Sequence, residues 1–313
     1  MPYFSSRYEL RSSYVLRVGG LLSLTTLLSL WSCGLLAKAQ TSSPGVAIVQ
    51  EGGLFDRVVG KQKQSELELD GYERMQRIEL RKTGSDPGPY ATKVLRLFPA
   101  GPAINKIALS PDGRPISTES YRSELDKLEK YLLWAMQDGA AQKDAYAKAE
   151  RKRRERFDLI EATHQAFVFT FAGKEMRSGR TLLRYIMEPN PKYKPTSRNT
   201  TLFTKVHGTI WIDEQSSQLA KIEGTVTEDI SLSFFLAKVY KGSHFMQERY
   251  EVAPGIWEPT FEQYDFDGRK FLVPFSIHER AFYSDYKFVG PPTVAINVVR
   301  AELNKLSGQP PAH

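Results

Sequence analysis

Imidazole binds metals and moves protons near neutral pH, so the chain's five histidines, His164, His207, His244, His278 and His313, are weighed first. No two of them form H-x-x-x-H or H-E-x-x-H, and zinc chemistry has no spacing to work with. His278 and Glu279 are neighbours on an expected strand, where consecutive side chains leave opposite faces, so they cannot share a metal. Each histidine is read as a solvent-facing or hydrogen-bonded strand residue. Asp265, Asp267 and Gly268 resemble the opening of a calcium loop, but position twelve of such a loop would be Ser276 rather than Glu. A turn with Gly268 at positive φ is the expectation there. No serine, Ser243 included, sits in the G-x-S-x-G elbow of a hydrolase. Asn199-Thr200-Thr201 fits a glycosylation acceptor, a triplet common by chance. A nucleophile, a base and an orienting group cannot be named together, so no catalytic residue, metal site or cofactor is assigned and a non-enzymatic protein is expected.

Aromatic and basic residues are the stronger candidates. Trp211, Trp257, Phe261, Phe271, Phe275 and Tyr283 fall on successive expected strands and are read as lining one concave ligand surface; ordinary core packing is the alternative. Trp211 shares a strand face with Thr209 and Asp213, while Ile210 and Ile212 share the other. Either Trp211 sits at a rim or the sheet is apolar on both faces. The run at 148–156 (KAERKRRER) offers Arg151, Arg153 and Arg154 to a protein partner or an anionic headgroup. Its alternative is a solvated helix face paired with Glu150, Glu155 and Asp158. A nucleic-acid partner is not expected, because no recognition motif or aromatic platform accompanies the bases.

The charge balance sharpens that point. The 313 residues carry a formal +7, of which residues 1–39 hold +3 and residues 148–156 hold +4, leaving the remainder neutral. Residues 18–36 are uncharged, follow Arg17 and precede Ala37-Lys38-Ala39, the pattern of a secretory signal peptide cut after Ala39. The rivals are a retained membrane anchor and lipidation of Cys33 in Leu30-Trp31-Ser32-Cys33. Membrane association is expected only under one of those rivals; otherwise the protein is exported to the periplasm or outer cell envelope. Cys33 is the chain's single cysteine, so a chain cut at Ala39 has no disulfide and no thiol chemistry. An apolar content of 41% excludes disordered and collagen-like classes and suffices for one core over residues 40–313.

The elements that must position these residues follow from periodicity. A short helix is expected over 47–60, then strands at 72–81, 92–99 and 104–109, although neither face of the first strand is cleanly apolar. Residues 117–162 read as helical, broken at Gly139. Tyr121, Leu125, Leu128, Leu132 and Ala135 form one apolar stripe, and the thinly striped segment 143–162 is expected at the surface. From 166 to 303 nearly everything reads as strand, at 181–188, 206–213, 219–229, 234–240, 245–253, 257–265, 270–280, 281–289 and 293–303. Helical crossovers between them are absent, which argues for antiparallel meanders over a parallel α/β fold. The expected class is α+β, mainly β: a curved antiparallel sheet or unclosed β-barrel, with the helical segment 117–162 covering its concave face.

Two sets of motifs resemble known groups. The hairpin Gly208-Thr-Ile-Trp-Ile-Asp213 with Leu219-Ala-Lys-Ile-Glu223 resembles one in the LolA/LolB-like half-barrel carriers that sort lipoproteins to the outer membrane. Lys241-Gly-Ser-His-Phe245, Ala253-Pro-Gly-Ile-Trp-Glu-Pro259, Tyr264-Asp-Phe-Asp-Gly-Arg269 and Phe275-Ser-Ile-His-Glu-Arg280 resemble a set of secreted bacterial proteins of unknown function, as does Asp112-Gly-Arg-Pro115 ahead of the helix. The carrier resemblance implies a cavity between sheet and helices that holds a lipid or lipoprotein acyl chain without a cofactor. The charged segment 139–162, a lid and a closing arginine have no match in that pattern. A protein-interaction or envelope-sensing module with a filled core is the alternative function.

Overall fold

The computed structural model describes residues 53–232, 237–271 and 273–308; the leader, Ala39, Cys33 and His313 lie outside them. The first helix, α1, runs Leu54–Glu68, starting and ending later than the pattern at 47–60 suggested. Twelve strands follow: β1 Tyr72–Arg81, β2 Ala91–Pro99, β3 Ile104–Ser110, β4 Phe167–Arg177, β5 Arg180–Pro189, β6 Val206–Asp213, β7 Leu219–Val226, β8 Ile230–Leu232, β9 Ala237–Val239, β10 His244–Ala253, β11 Ile256–Lys270 and β12 Val273–Phe288. Between β3 and β4 come α2, Thr118–Ala135, and α3, Ala140–Ala166; α4, Pro292–Leu306, closes the described chain. The strands form one sheet in the order β3-β2-β1-β12-β11-β10-β7-β6-β5-β4, with β8 and β9 attached to β11. Every pairing is antiparallel and β3 does not meet β4, so the sheet is open, as the meander pattern indicated.

Register assigns the two faces. Arg74 alternates with Met75, which pairs with Arg96, which in turn pairs with Ile107. Arg96, Phe98 and Ile107 therefore point away from the face of Arg74 and Gln76. On that back face α2 contributes Leu125, Leu128 and Leu132, and α4 contributes Ala295, Ile296, Val299 and Leu303, to a core with Phe98 and Ile107. The α2 stripe holds, and the helix starts at Ser117, whose Oγ accepts the Ser120 N–H at 3.1 Å. A buried cation clips this layer down: Arg96 donates to Glu73 at 2.6 and 2.8 Å, to Glu302 of α4 at 2.7 Å and to Tyr121 of α2 at 2.7 Å.

The opposite face is covered by α1 and α3. Leu54, Phe55 and Val58 join Phe167, Tyr185, Ile210, Ile212, Tyr264 and Phe266 in the larger core. Hence the helical segment 117–162 does not act as one cover: α2 packs behind the sheet and only α3 packs in front. The reading of 293–303 as a strand is also corrected, since those residues belong to α4. Residues 270–280 and 281–289 are one strand, β12, rather than two. Gly268 lies inside β11, not in a turn. A Cβ there would sit 2.1 Å from the Lys238 carbonyl of β9, so the glycine permits close strand approach. Gly208 of the hairpin motif does the same job; its Cβ would lie 2.0 Å from the Glu223 carbonyl.

Candidate ligand cavity

Between the front face and the roof formed by α1 and α3 lies a cavity of about 290 Å3. That is near the lower end of the roughly 300–1,000 Å3 typical of small-molecule sites. It is reached by β1, β12, β11, β10, β7, β6, β5 and β4, eight consecutive strands of the sheet. Laid flat at about 4.8 Å per strand, these would span about 34 Å, so the sheet must curl around the cavity. From the roof come Gln62 and Glu66 of α1 and Arg156, Leu159, Ile160 and Thr163 of α3. The second half of α3 is thus a cavity wall, where its charge pattern had suggested only a surface helix. Ion pairs hold the two roof helices together: Arg156 Nε lies 2.7 Å from Glu66, and Lys63 Nζ 2.8 Å from Glu161.

The lining is graded along the strands. On β10, Phe245 gives way to Gln247 and then Arg249; on β11, Phe266 and Tyr264 give way to Glu262 and Pro259. These runs are in register, Phe245 opposite Tyr264, Gln247 opposite Glu262 and Arg249 opposite Pro259. Polarity therefore changes across the cavity over about 13 Å, four residues of strand rise. Met187, Val206, Val226, Ile230 and Val239 complete the apolar side; Arg74, Tyr283 and Tyr286 join the polar side.

Most groups on the polar side are already paired. Tyr283 accepts from Gln76 Nε2 at 2.8 Å and donates to Glu262 at 2.8 Å, and Gln247 Nε2 donates to the other Glu262 oxygen at 2.8 Å. Tyr286 donates to the Pro259 carbonyl. Arg249 donates to the Trp257 carbonyl at 2.9 Å, but its Nε, like Gln62 Nε2, is buried without a protein partner. Behind it, Glu258 is fully buried, 3.6 Å from Arg249, with both carboxylate oxygens unbonded. Burial, only partly countered by Arg249 and Arg74, pushes the Glu258 carboxyl up to about 8, so at neutral pH it is largely a neutral acid.

The aromatic candidates separate. Tyr283 lines the cavity, and Phe275 packs against the apolar shell around it. Trp211 and Trp257 are buried with Leu182 and Ala220 in a cluster of their own, outside the cavity lining. Lys221 lies 4.5 Å over the Trp211 ring and Arg180 4.9 Å over that of Trp257. Of the two alternatives for Trp211, the sheet apolar on both faces is the one found. Phe261 packs against Phe282, ring centroids 5.0 Å apart and tilted by 55°, again away from the cavity lining. Phe271 is 57% exposed beyond the end of β11. On α3, Arg151 is exposed, Arg154 is exposed and paired with Glu150, and Arg153 is held by Glu150 and by Asp70 at 2.5 Å.

His278 lies 3.1 Å from Asp265, which Arg280 also holds at 3.0 Å. His164 stacks on Phe55, and His244 is half-buried, with burial lowering its pKa. Among the described residues no three His, Cys, Asp or Glu side chains converge on a metal position, and no helix is long and apolar enough to cross a membrane.

An open antiparallel sheet curled around a cavity under helices defines the class: an unclosed β half-barrel. No family model and no curated protein matches the chain. Among solved structures, it is similar to a domain from Vibrio parahaemolyticus described as an outer membrane lipoprotein-sorting protein, at 12% identity and TM-score 0.32, over 75% of this chain and 93% of that one. It is also similar to a DUF1329 family protein from Desulfovibrio piger, at 10% identity and TM-score 0.29 over 75% and 92%. The Pseudomonas aeruginosa MucA/MucB complex matches at 9% and TM-score 0.21 over 74% and 94%.

Proposed function

We propose that this is an exported, non-catalytic envelope protein that binds a lipid or lipoprotein acyl chain in the cavity under α1 and α3. The observation that carries the reading is the graded lining, apolar at Phe245, Val226 and Phe266 and polar at Arg249, Glu262 and Arg74, which matches a molecule with a tail and a head. Export rests on the leader pattern. Each buried methylene contributes roughly 0.8 kcal/mol, so a tail of about ten, what a cavity of about 290 Å3 holds, supplies about 8 kcal/mol. Against an association cost of at least about 4 kcal/mol, that leaves a site of about millimolar affinity. Competition tests this: unlabelled fatty acids should displace a fluorescent fatty-acid probe, and Ile222→Trp, which fills the cavity wall, should abolish probe binding while the fold is kept. Probe binding unchanged by Ile222→Trp would place the ligand elsewhere.

A second reading, docking of another envelope protein, is favoured by the exposed bases of α3. Arg153 is half-buried between Asp70 and Glu150, whereas Arg151 and Arg154 are exposed to a partner, Arg154 beside Glu150. Reversing both to Glu should abolish a pulldown partner and leave lipid binding untouched; an unchanged partner set counts against this reading.

A further inference from the structure

The polar end of the cavity holds a guanidinium that no carboxylate answers. Arg74, on β1, has no carboxylate within 4 Å among the described residues, and its one protein hydrogen bond, to the Tyr72 carbonyl, is long at 3.4 Å. Arg249 Nε and Gln62 Nε2 are buried without a protein partner on the same lining. The acceptors that could answer them are committed: Glu262 to Gln247 and Tyr283, and Glu66 to Arg156. Glu258, behind the lining, lies 3.6 Å from Arg249. With Glu66 answering Arg156 and Glu258 beside Arg249, Arg74 is the guanidinium of the lining left without a carboxylate. A cation lining a cavity with apolar walls is costly unless an anion meets it.

We infer that the cavity takes a single-chain amphiphile with an oxyanion headgroup, carboxylate or phosphate, and that Arg74 is the cation that receives it. This rests on the amphiphile reading above and narrows it to anionic ligands. A planar guanidinium offers two parallel N–H donors to either headgroup, which an ammonium cannot. The headgroup would sit between Arg74 and the free donors of Arg249 and Gln62. The tail would run the graded distance toward Phe245 and Phe266.

Titration calorimetry with dodecanoate and dodecyl phosphate below their micelle concentrations, and dodecanol below its solubility limit, tests this on the wild type, Arg74→Gln and Arg74→Lys. The wild type should bind at least one anion tenfold or more tighter than dodecanol, and the anion with the larger preference identifies the headgroup. Arg74→Gln should lose that preference and keep its dodecanol affinity, while Arg74→Lys should retain part of it. Thermal unfolding verifies that each variant is folded. If Arg74→Gln does not fold, the wild-type ratio and Arg74→Lys decide: a tenfold preference that Arg74→Lys reduces supports the assignment, and one it leaves whole refutes it. Equal binding of all three ligands by the wild type, or a preference that survives in Arg74→Gln, overturns the inference and leaves the amphiphile reading standing. No binding of any of the three overturns both.

Discussion

Glu258 gives a stability test whose sign and size follow from its surroundings. Its carboxyl is fully buried, has no hydrogen bond on either oxygen and faces Arg249 at 3.6 Å. Burial outweighs that attraction and raises its pKa from 4.5 to about 8. Below pH 4.5 the group is protonated in folded and unfolded chains alike, and its ionisation adds no pH dependence. Between 4.5 and about 8 the folded protein binds one more proton than the unfolded chain, so stability falls as pH rises, by about 1.4 kcal/mol per pH unit. Above about 8 the loss levels off, having reached on the order of 4–5 kcal/mol. Glu258→Gln keeps the shape and removes the ionisation. Urea unfolding of both proteins from pH 5 to pH 9 should show the variant gaining on the wild type across that window, by several kcal/mol at its end, out of a total of about 5–15 kcal/mol. Glu279, which burial and Glu262 raise to about 7, tilts both proteins alike and cancels in the difference. A gap between the two that stays constant from pH 5 to pH 9 would refute the claim that this acid is neutral in the fold.

Arg96→Met should destabilise by about 3–5 kcal/mol in urea, because it leaves the buried Glu73 without the guanidinium that holds it; a loss under about 1 kcal/mol would mean the clip is decorative. Gly208→Ala should leave little soluble protein on expression, since its methyl would collide with the Glu223 backbone rather than a side chain that can swing away; a soluble variant with wild-type melting contradicts the strand-approach account. For a homologous series of fatty acids, affinity should rise about tenfold per two methylenes and then plateau once the cavity is full. Affinity that ignores chain length would contradict burial as the driving force.

Much of this fold is legible in local pattern. The alternation along Phe275 and Ile277, the absence of helical crossovers and the Leu125, Leu128, Leu132 stripe lead to an open antiparallel sheet with helices. The misreadings have physical causes. Residues 293–303 are rich in β-branched side chains, which mimic a strand, yet Pro291-Pro292 opens a helix and Ala295, Ile296, Val299 and Leu303 keep helical spacing. Gly268 looked like turn chemistry because a strand glycine and a turn glycine are the same letter; the neighbour that demands it, Lys238, belongs to a strand added from elsewhere in the chain. On α3 the dense charge at 148–156 hid Leu159 and Thr163 further along the same helix. Of the residues that line the cavity, Tyr283 is among those expected at a ligand surface, and Arg74, Gln62, Arg249, Glu262 and Tyr286 are not. The available signal was β1 itself, where Arg74 and Gln76 alternate inward and spoil the apolar face. What no local pattern reveals is that β1 pairs with β12, which sets Arg74 on the same front face as groups some 200 residues away.

Native mass spectrometry of the protein purified from an envelope fraction tests the central claim most directly. The expected result is a discrete added mass of an amphiphile on the wild type, absent from Ile222→Trp purified in parallel. Wild-type protein carrying no lipid, in a preparation that also fails to take up added fatty acid, would contradict the assignment of the cavity as a lipid site.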